Sequence, residues 1–239
     1  MTLYVGTSGW ANKEWKPDFY PQDLPQSRWL KYYGTTLTAC EINATFYRLQ
    51  TDATIAKWAD ATPDSFRFAT KAHRRITHSR VFPPDSEGRS FIDEFLRSVS
   101  ILGPRLGVVL FQFPPHRVRD DRTLKEFLAV LPSGVGYALE FRNQTWNTPD
   151  VFEAVAERGA TVCVSDTTGH VADWLPPGPL AYVRLRAERY TPDQRDGWRV
   201  LLEKEAGARH VYAFTKHEGI PAGDPFGGVG LARWLVSGG

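Results

Sequence analysis

The chain has 239 residues, 42% of them hydrophobic, which suits one α/β domain spanning residues 1–239. Its 29 Lys and Arg against 27 Asp and Glu leave a net charge of +2, which excludes the broad basic footprint of a dedicated nucleic-acid binder and confines any anion affinity to a local site. The only two cysteines, Cys40 and Cys163, each sit inside an apolar run, which excludes a disulfide framework and a cysteine-based zinc module.

Residues 1–6 carry no basic leader, and no apolar run approaches the roughly 20 residues needed to span a bilayer. The expectation is a cytoplasmic protein without membrane contact. Short runs, mostly β-branched or aromatic, then predict strands at 3–6, 39–42, 66–70, 107–113, 137–141, 161–165, 181–185 and 211–214. Helical patterns lie between them. Phe91, Ile92, Phe95, Leu96, Val99 and Leu102 make an apolar stripe ending at Gly103-Pro104, and Leu124, Phe127, Leu128 and Leu131 make another before Pro132. Thr148 reads as an N-cap and Pro149 as the first helical residue; Val151, Phe152 and Val155 share a face, and Gly159 lies just past the end. The stretches 71–89 and 215–228 lack regular patterning and are expected to act as partial lids.

Eight alternating strands and helices without a linker predict a TIM-barrel-like (β/α)8 closed parallel barrel. An open doubly wound sheet is the alternative, but Gly6-Thr7-Ser8-Gly9-Trp10 lacks the third glycine of a dinucleotide fingerprint. Side chains two apart share one face of a strand, so Glu140 and Arg142 face together, as do Glu41 and Asn43. Charges in a strand covered on both sides belong at its end. Arg184 and Arg186 close the seventh strand, Gln112 the fourth and Lys71 the third, while Asp166 follows the sixth. All fall at C-terminal strand ends, where barrel enzymes keep their chemistry.

Glu41 and Glu140, with Asp166 in reserve, are the acid/base candidates, because neighbouring cations hold one carboxyl ionised while burial keeps another protonated. Lys71, Arg142, Arg184, Arg186 and Lys216 suit a phosphate or carboxylate, so the expected partner is a small anionic ligand. Trp10, Trp15, Tyr20, Tyr47 and Trp146 leave strand ends and offer flat apolar surfaces, or else pack the barrel rim. Ser8 reads as a turn or anion-cradle residue, and both cysteines as outward-facing. His73, His78 and His217 give only a weak oxygen/nitrogen metal pattern, so no metal or cofactor is expected. The same glutamates and arginines can equally form a structural ion-pair plug.

The blocks GTSGW (6–10), EINATFYR (41–48), KAHRRITH (71–78), LFQFPP (110–115), LEFRNQTW (139–146) and YVRLR (182–186) occur in an order that resembles the YecE-like family, the domain of unknown function 72. The resemblance implies a TIM-barrel-like fold and brings no established activity. Where such sequences read YVRLHG, this chain has Arg186 at the His position. The functional expectation is an enzyme binding a sugar-phosphate or nucleotide-like anion and cleaving it by hydrolytic or lyase-like chemistry. Two alternatives stand: a non-catalytic ligand or single-stranded nucleic-acid binding module, and a metal-dependent phosphoesterase or isomerase. The sequence leaves oligomeric state open.

Overall fold

The computed structural model describes residues 1–80, 84–216 and 218–238. Nine strands occur among the described residues: β1 (Leu3–Thr7), β2 (Ala39–Ile42), β3 (Arg67–Lys71), β4 (Leu106–Phe113), β5 (Tyr137–Phe141), β6 (Ala160–Val162), β7 (Val164–Asp166), β8 (Leu180–Leu185) and β9 (His210–Thr215). They pair in parallel throughout, as one sheet in the order β1-β9-β8-β7 and another in the order β2-β3-β4-β5-β6.

The α/β character and the strand positions agree with the sequence. The single closed ladder of eight does not: the strands divide between two sheets. The division has two local causes. The expected strand at 161–165 is divided at Cys163, whose backbone N–H makes the last bond to the β5 ladder, at the Leu139 carbonyl. Residues before it pair with β5 and residues after it with β8, so one continuous segment passes from sheet to sheet. On the opposite side, β1 and β2 share no ladder because the Tyr33 side chain lies between them. Its hydroxyl accepts from the Thr7 N–H at 2.7 Å and donates to the Ala39 carbonyl at 3.0 Å. Thr38 also bonds Val5 across the gap, through both its backbone N–H and its side chain. The approach is so close that a Cβ on Gly6 would fall 1.7 Å from the Ala39 oxygen, which explains the glycine.

Every strand of both sheets except β6 and β7 contributes alternate residues to one interior cluster of Tyr4, Ala39, Ala69, Val108, Leu110, Ala138, Leu180, Tyr182, Tyr212 and Phe214. Cys163, at the link between those two strands, completes it. Cys163 therefore faces inward, contrary to the sequence reading; only Cys40 lies on the outer face. The interruption of the strand at Cys163 is what a parity count on one unbroken strand misses.

Outside the strands run α1 (Trp29–Thr36), α2 (Ala44–Tyr47), α3 (Asp52–Asp60), α4 (Arg74–Thr77), α5 (Ser86–Ser100), α6 (Asp121–Ala129), α7 (Pro149–Ala156), α8 (Pro192–Ala206) and α9 (Gly228–Ser237). The stripes read from sequence on α5, α6 and α7 bury Ile92, Phe95, Phe127, Leu128, Val151 and Val155 against the second sheet. Thr148 is the N-cap residue of α7, but its hydroxyl accepts from Arg119 rather than from the helix. The stretch 71–89 is less irregular than expected: His73 caps α4 through its Nδ1, and Asp85 caps α5 by accepting from the Gly88 N–H. No helix among the described residues is long and apolar enough to cross a membrane.

Tyr33→Phe tests the seam between β1 and β2. It strips a buried N–H and a buried carbonyl of their partner, at a cost of about 1–3 kcal/mol. Thermal unfolding should shift down by several degrees with the near-ultraviolet spectrum of the folded protein preserved; an unchanged midpoint would show that water replaces the hydroxyl.

Candidate functional site

Three residues from three strands form the floor. Glu41 lies in β2, Glu140 in β5 and Arg184 in β8, each at an inward position of its strand. Arg184 reaches both carboxylates, with Nη2 2.7 Å from Glu41 Oε1 and Nη1 2.7 Å from Glu140 Oε2. The side chains of Arg184 and Glu41 are 2% and 0% exposed, so this pairing is sheltered from solvent.

Further donors complete the floor. Ser8 Oγ donates to Glu41 Oε1 at 2.7 Å, and the Tyr182 hydroxyl to Glu41 Oε2 at 2.8 Å. Arg186 Nη1 donates in turn to Ser8 Oγ at 2.7 Å. On the other flank Gln112 Nε2 donates to Glu140 Oε2 at 2.8 Å, while its Oε1 accepts from Lys71 Nζ at 2.7 Å. Arg142 Nε stands 3.6 Å from Glu140 Oε1, close enough to attract but too long for a hydrogen bond. A continuous polar chain thus runs Arg186, Ser8, Glu41, Arg184, Glu140, Gln112, Lys71.

Electrostatics sorts the two ends of this chain. Burial by itself raises the Glu41 carboxyl, but Arg184 and Arg186 beside it, with hydrogen bonds from Arg184 and Ser8, outweigh that and hold it at about 2. Glu41 is a carboxylate at neutral pH. Burial lowers Lys71, Arg184 lowers it further, and the partial compensation by Glu41 and Glu140 leaves it at about 8. Lys71 therefore gives up its proton more readily than an ordinary lysine.

Above the floor opens a cleft of about 650 Å³. Ser8, Asn43, Lys71, Arg142, Arg184 and Arg186 face it, as the strand-end argument expects, together with Trp10 and Tyr47. Trp10 is half-buried and packs edge-on against Trp58, 5.5 Å between ring centres, while Tyr47 stands 69% exposed at the rim. Sequence reasoning missed Trp58, Arg48, Gln50, Thr54 and Glu218, which also line the cleft from helices and loops. It also missed Tyr182, although the parity that places Arg184 and Arg186 inward places Tyr182 inward too.

Several candidates lie elsewhere. Asp166 uses Oδ1 to accept from the backbone N–H groups of Thr168 and Gly169, each at 2.9 Å, which fixes the turn after β7, and it is not among the residues that line the cleft. Trp146 is buried behind β5, stacked on Phe141 at 4.6 Å with its Nε1 on the Arg117 carbonyl. Trp15 and Tyr20 are core residues packed with Phe19, Trp29 and Tyr33. His78 binds Thr77 and sits edge-on against Phe46, lining two smaller hollows beside the main cleft. Lys216 lies 3.7 Å from Glu188, and His217 falls outside the described residues. Among the described residues no three His, Cys, Asp or Glu side chains converge as a metal site.

Residues 4–223 match the family model described as "Protein of unknown function DUF72". The chain belongs to the DUF72 family. The resemblance carried by its motif blocks is thereby borne out. Among curated relatives, the UPF0759 protein YunF of Bacillus subtilis is 31% identical over 160 residues, covering 63% of this chain and 54% of the relative. This DUF72 chain spans about half the length of the curated relatives it matches. A DUF72 family protein of Thermotoga maritima has the same fold, with a TM-score of 0.77 at 21% identity, covering 99% of this chain and 98% of that one. The crystal structure of D-psicose 3-epimerase in the presence of D-fructose matches with a TM-score of 0.58 at 12% identity, over 100% of this chain and 92% of that chain. At these identities the likeness carries the fold, an α/β architecture with TIM-barrel-like neighbours.

Proposed function

We propose that the cleft binds a small organic anion, sugar-phosphate or nucleotide-like, and carries out hydrolytic or lyase-like chemistry on it. We read the two sheets as halves of one (β/α)8-type barrel, the cleft being its C-terminal mouth. The shared interior cluster, the segment that passes between sheets at Cys163 and the tyrosine-bridged seam all support that reading.

Charge carries the ligand class. Arg48, Lys71, Arg142, Arg184 and Arg186 line the cleft, against three carboxylates, Glu41 and Glu140 at the floor and Glu218 at the rim, so two positive charges are in excess. A surplus of this kind attracts an anion, and the arginine fork suits phosphate or carboxylate. Trp10, Trp58 and Tyr47 supply a wall for a ring or carbon chain.

The two glutamates take different roles. Glu41, with three donors on its oxygens, serves as a fixed counter-ion that positions Arg184 and Ser8. Among the described residues Glu140 Oε1 accepts no hydrogen bond and stands 3.6 Å from Arg142 Nε; it opens on the hollow next to the cleft, which Arg142 also lines, and is the better acid/base group. An alternative is suggested by the exposed Tyr47 beside Arg48: a non-catalytic module in which the same mouth holds single-stranded nucleic acid.

Thermal shift separates these readings. At physiological ionic strength glucose 6-phosphate or AMP should raise the melting temperature saturably, while glucose should not; a ligand at about 100 times its Kd adds about 2.7 kcal/mol. Arg142→Ala should weaken that binding about tenfold, the loss of one charged hydrogen-bond partner. Equal responses to glucose and its phosphate would sink the anion reading. A hold on single-stranded DNA that collapses with added salt would instead favour the strand-binding module.

A further inference from the structure

We propose that Lys71 is a covalent catalyst that forms an imine with the carbonyl group of a small anionic aldehyde or ketone. The proposal rests on the anion-binding reading of the cleft and narrows its substrate to carbonyl compounds.

The geometry around Lys71 differs from that of a lysine kept for charge pairing. It closes β3 at the cleft floor, 8% exposed. Among the described residues no carboxylate oxygen pairs with Nζ, although two glutamates lie within the same polar chain; Arg184 takes both. The nitrogen instead has one hydrogen bond, to Gln112 Oε1, and stands 4.0 Å from the centre of the Phe46 ring. Gln112 cannot turn its amide around, because its Nε2 is committed to Glu140. An acceptor is therefore held toward the lysine, which fixes one N–H direction; the Phe46 ring covers a second side, and the cleft that Lys71 lines adjoins what remains of the nitrogen's tetrahedron.

An amine in this setting has what imine formation needs: a low proton affinity, a fixed direction and an electrophile held beside it. Burial and Arg184 bring its pKa to about 8, against the ordinary 10.5. Arg142 and Arg186, lining the same cleft, are placed to grip a phosphate or carboxylate on the substrate.

The step balances without a redox partner. Lys71 ammonium first yields one proton to solvent, and the free amine adds its lone pair to the carbonyl carbon. The carbonyl oxygen then takes one proton from that nitrogen and one from solvent, and leaves as water. What remains is a protonated imine on Lys71, which draws electrons from an adjacent C–C or C–H bond and so favours the lyase-like branch over hydrolysis.

Borohydride trapping tests this. The whole protein is incubated with dihydroxyacetone phosphate or with pyruvate and sodium cyanoborohydride, whose hydride adds to the imine carbon to give a stable secondary amine. Each modified chain should gain the mass of the probe less one oxygen atom. Peptide mapping should place at least tenfold more label on Lys71 than on any other lysine. Excess inorganic phosphate should protect, and Lys71→Arg should abolish the adduct while keeping the thermal shift with the probe. Melting-temperature stabilisation by either probe without an adduct on Lys71, or with label spread over lysines according to exposure, would overturn the imine and leave the anion reading standing. No stabilisation and no adduct with both probes would overturn the two together. Should Lys71→Arg fail to fold, phosphate protection and peptide mapping on the unaltered protein still decide the matter.

Discussion

Arg184→Met should lower the melting temperature by about 6 to 20 °C, a larger loss than any single change at the cleft rim. The guanidinium is the shared counter-ion of Glu41 and Glu140, and its removal leaves two buried carboxylates facing each other through a methionine. Breaking a buried ion pair from one side costs about 3–5 kcal/mol, and in a chain of this size each kcal/mol corresponds to roughly 2–4 °C. Pairing the change with Glu41→Gln distinguishes an ion network from mere loss of packing. If the network is real, the double variant is less damaged than the sum of the single ones, by about 0.5–3 kcal/mol. A melting temperature for Arg184→Met within a degree of the parent would mean that the floor contributes little to the fold.

Acid should unfold the protein in a window set by Glu41. Its carboxyl titrates near 4.5 when the chain is unfolded and at about 2 when folded. A depressed folded value means that the stabilisation is complete above 4.5 and disappears as pH falls from 4.5 toward 2. The gap is worth about 3 kcal/mol. Chemical denaturation at a series of pH values should show the parent losing stability steeply below pH 4.5, and Glu41→Gln, less stable at neutrality, losing about 3 kcal/mol less over the same range. Parallel curves for the two proteins would remove Glu41 from the account.

Strand parity makes most of the floor legible in the sequence. Period-two alternation puts Glu41, Glu140, Arg184 and Arg186 on inward faces, and position at a strand end adds Gln112; Arg184 links the two glutamates and Ser8 links Arg186 to Glu41. Parity fails where the backbone leaves a straight ladder. Asp166 looked like a third carboxylate, yet it sits at the last residue of β7, where its oxygen satisfies the turn that follows. Composition alone could not separate Trp10 and Tyr47, which face the cleft, from Trp15, Tyr20 and Trp146, which are buried in packing; the side to which each loop folds decides that. Nor does any local pattern announce that Tyr33, in the middle of α1, completes the backbone hydrogen bonding of the strands that precede and follow its helix.

Arg184 belongs to the four-stranded sheet, whereas both carboxylates it holds belong to the five-stranded one. The bottom of the pocket is thus also the clasp between the two sheets. Under the proposed function, a ligand that engages this clasp is expected to change the cohesion of the whole molecule and not the closing of one flap. Retuning ligand preference by engineering should accordingly begin at Tyr47, Trp58 and Arg142 around the opening, because any new residue at the clasp must first keep the two sheets joined.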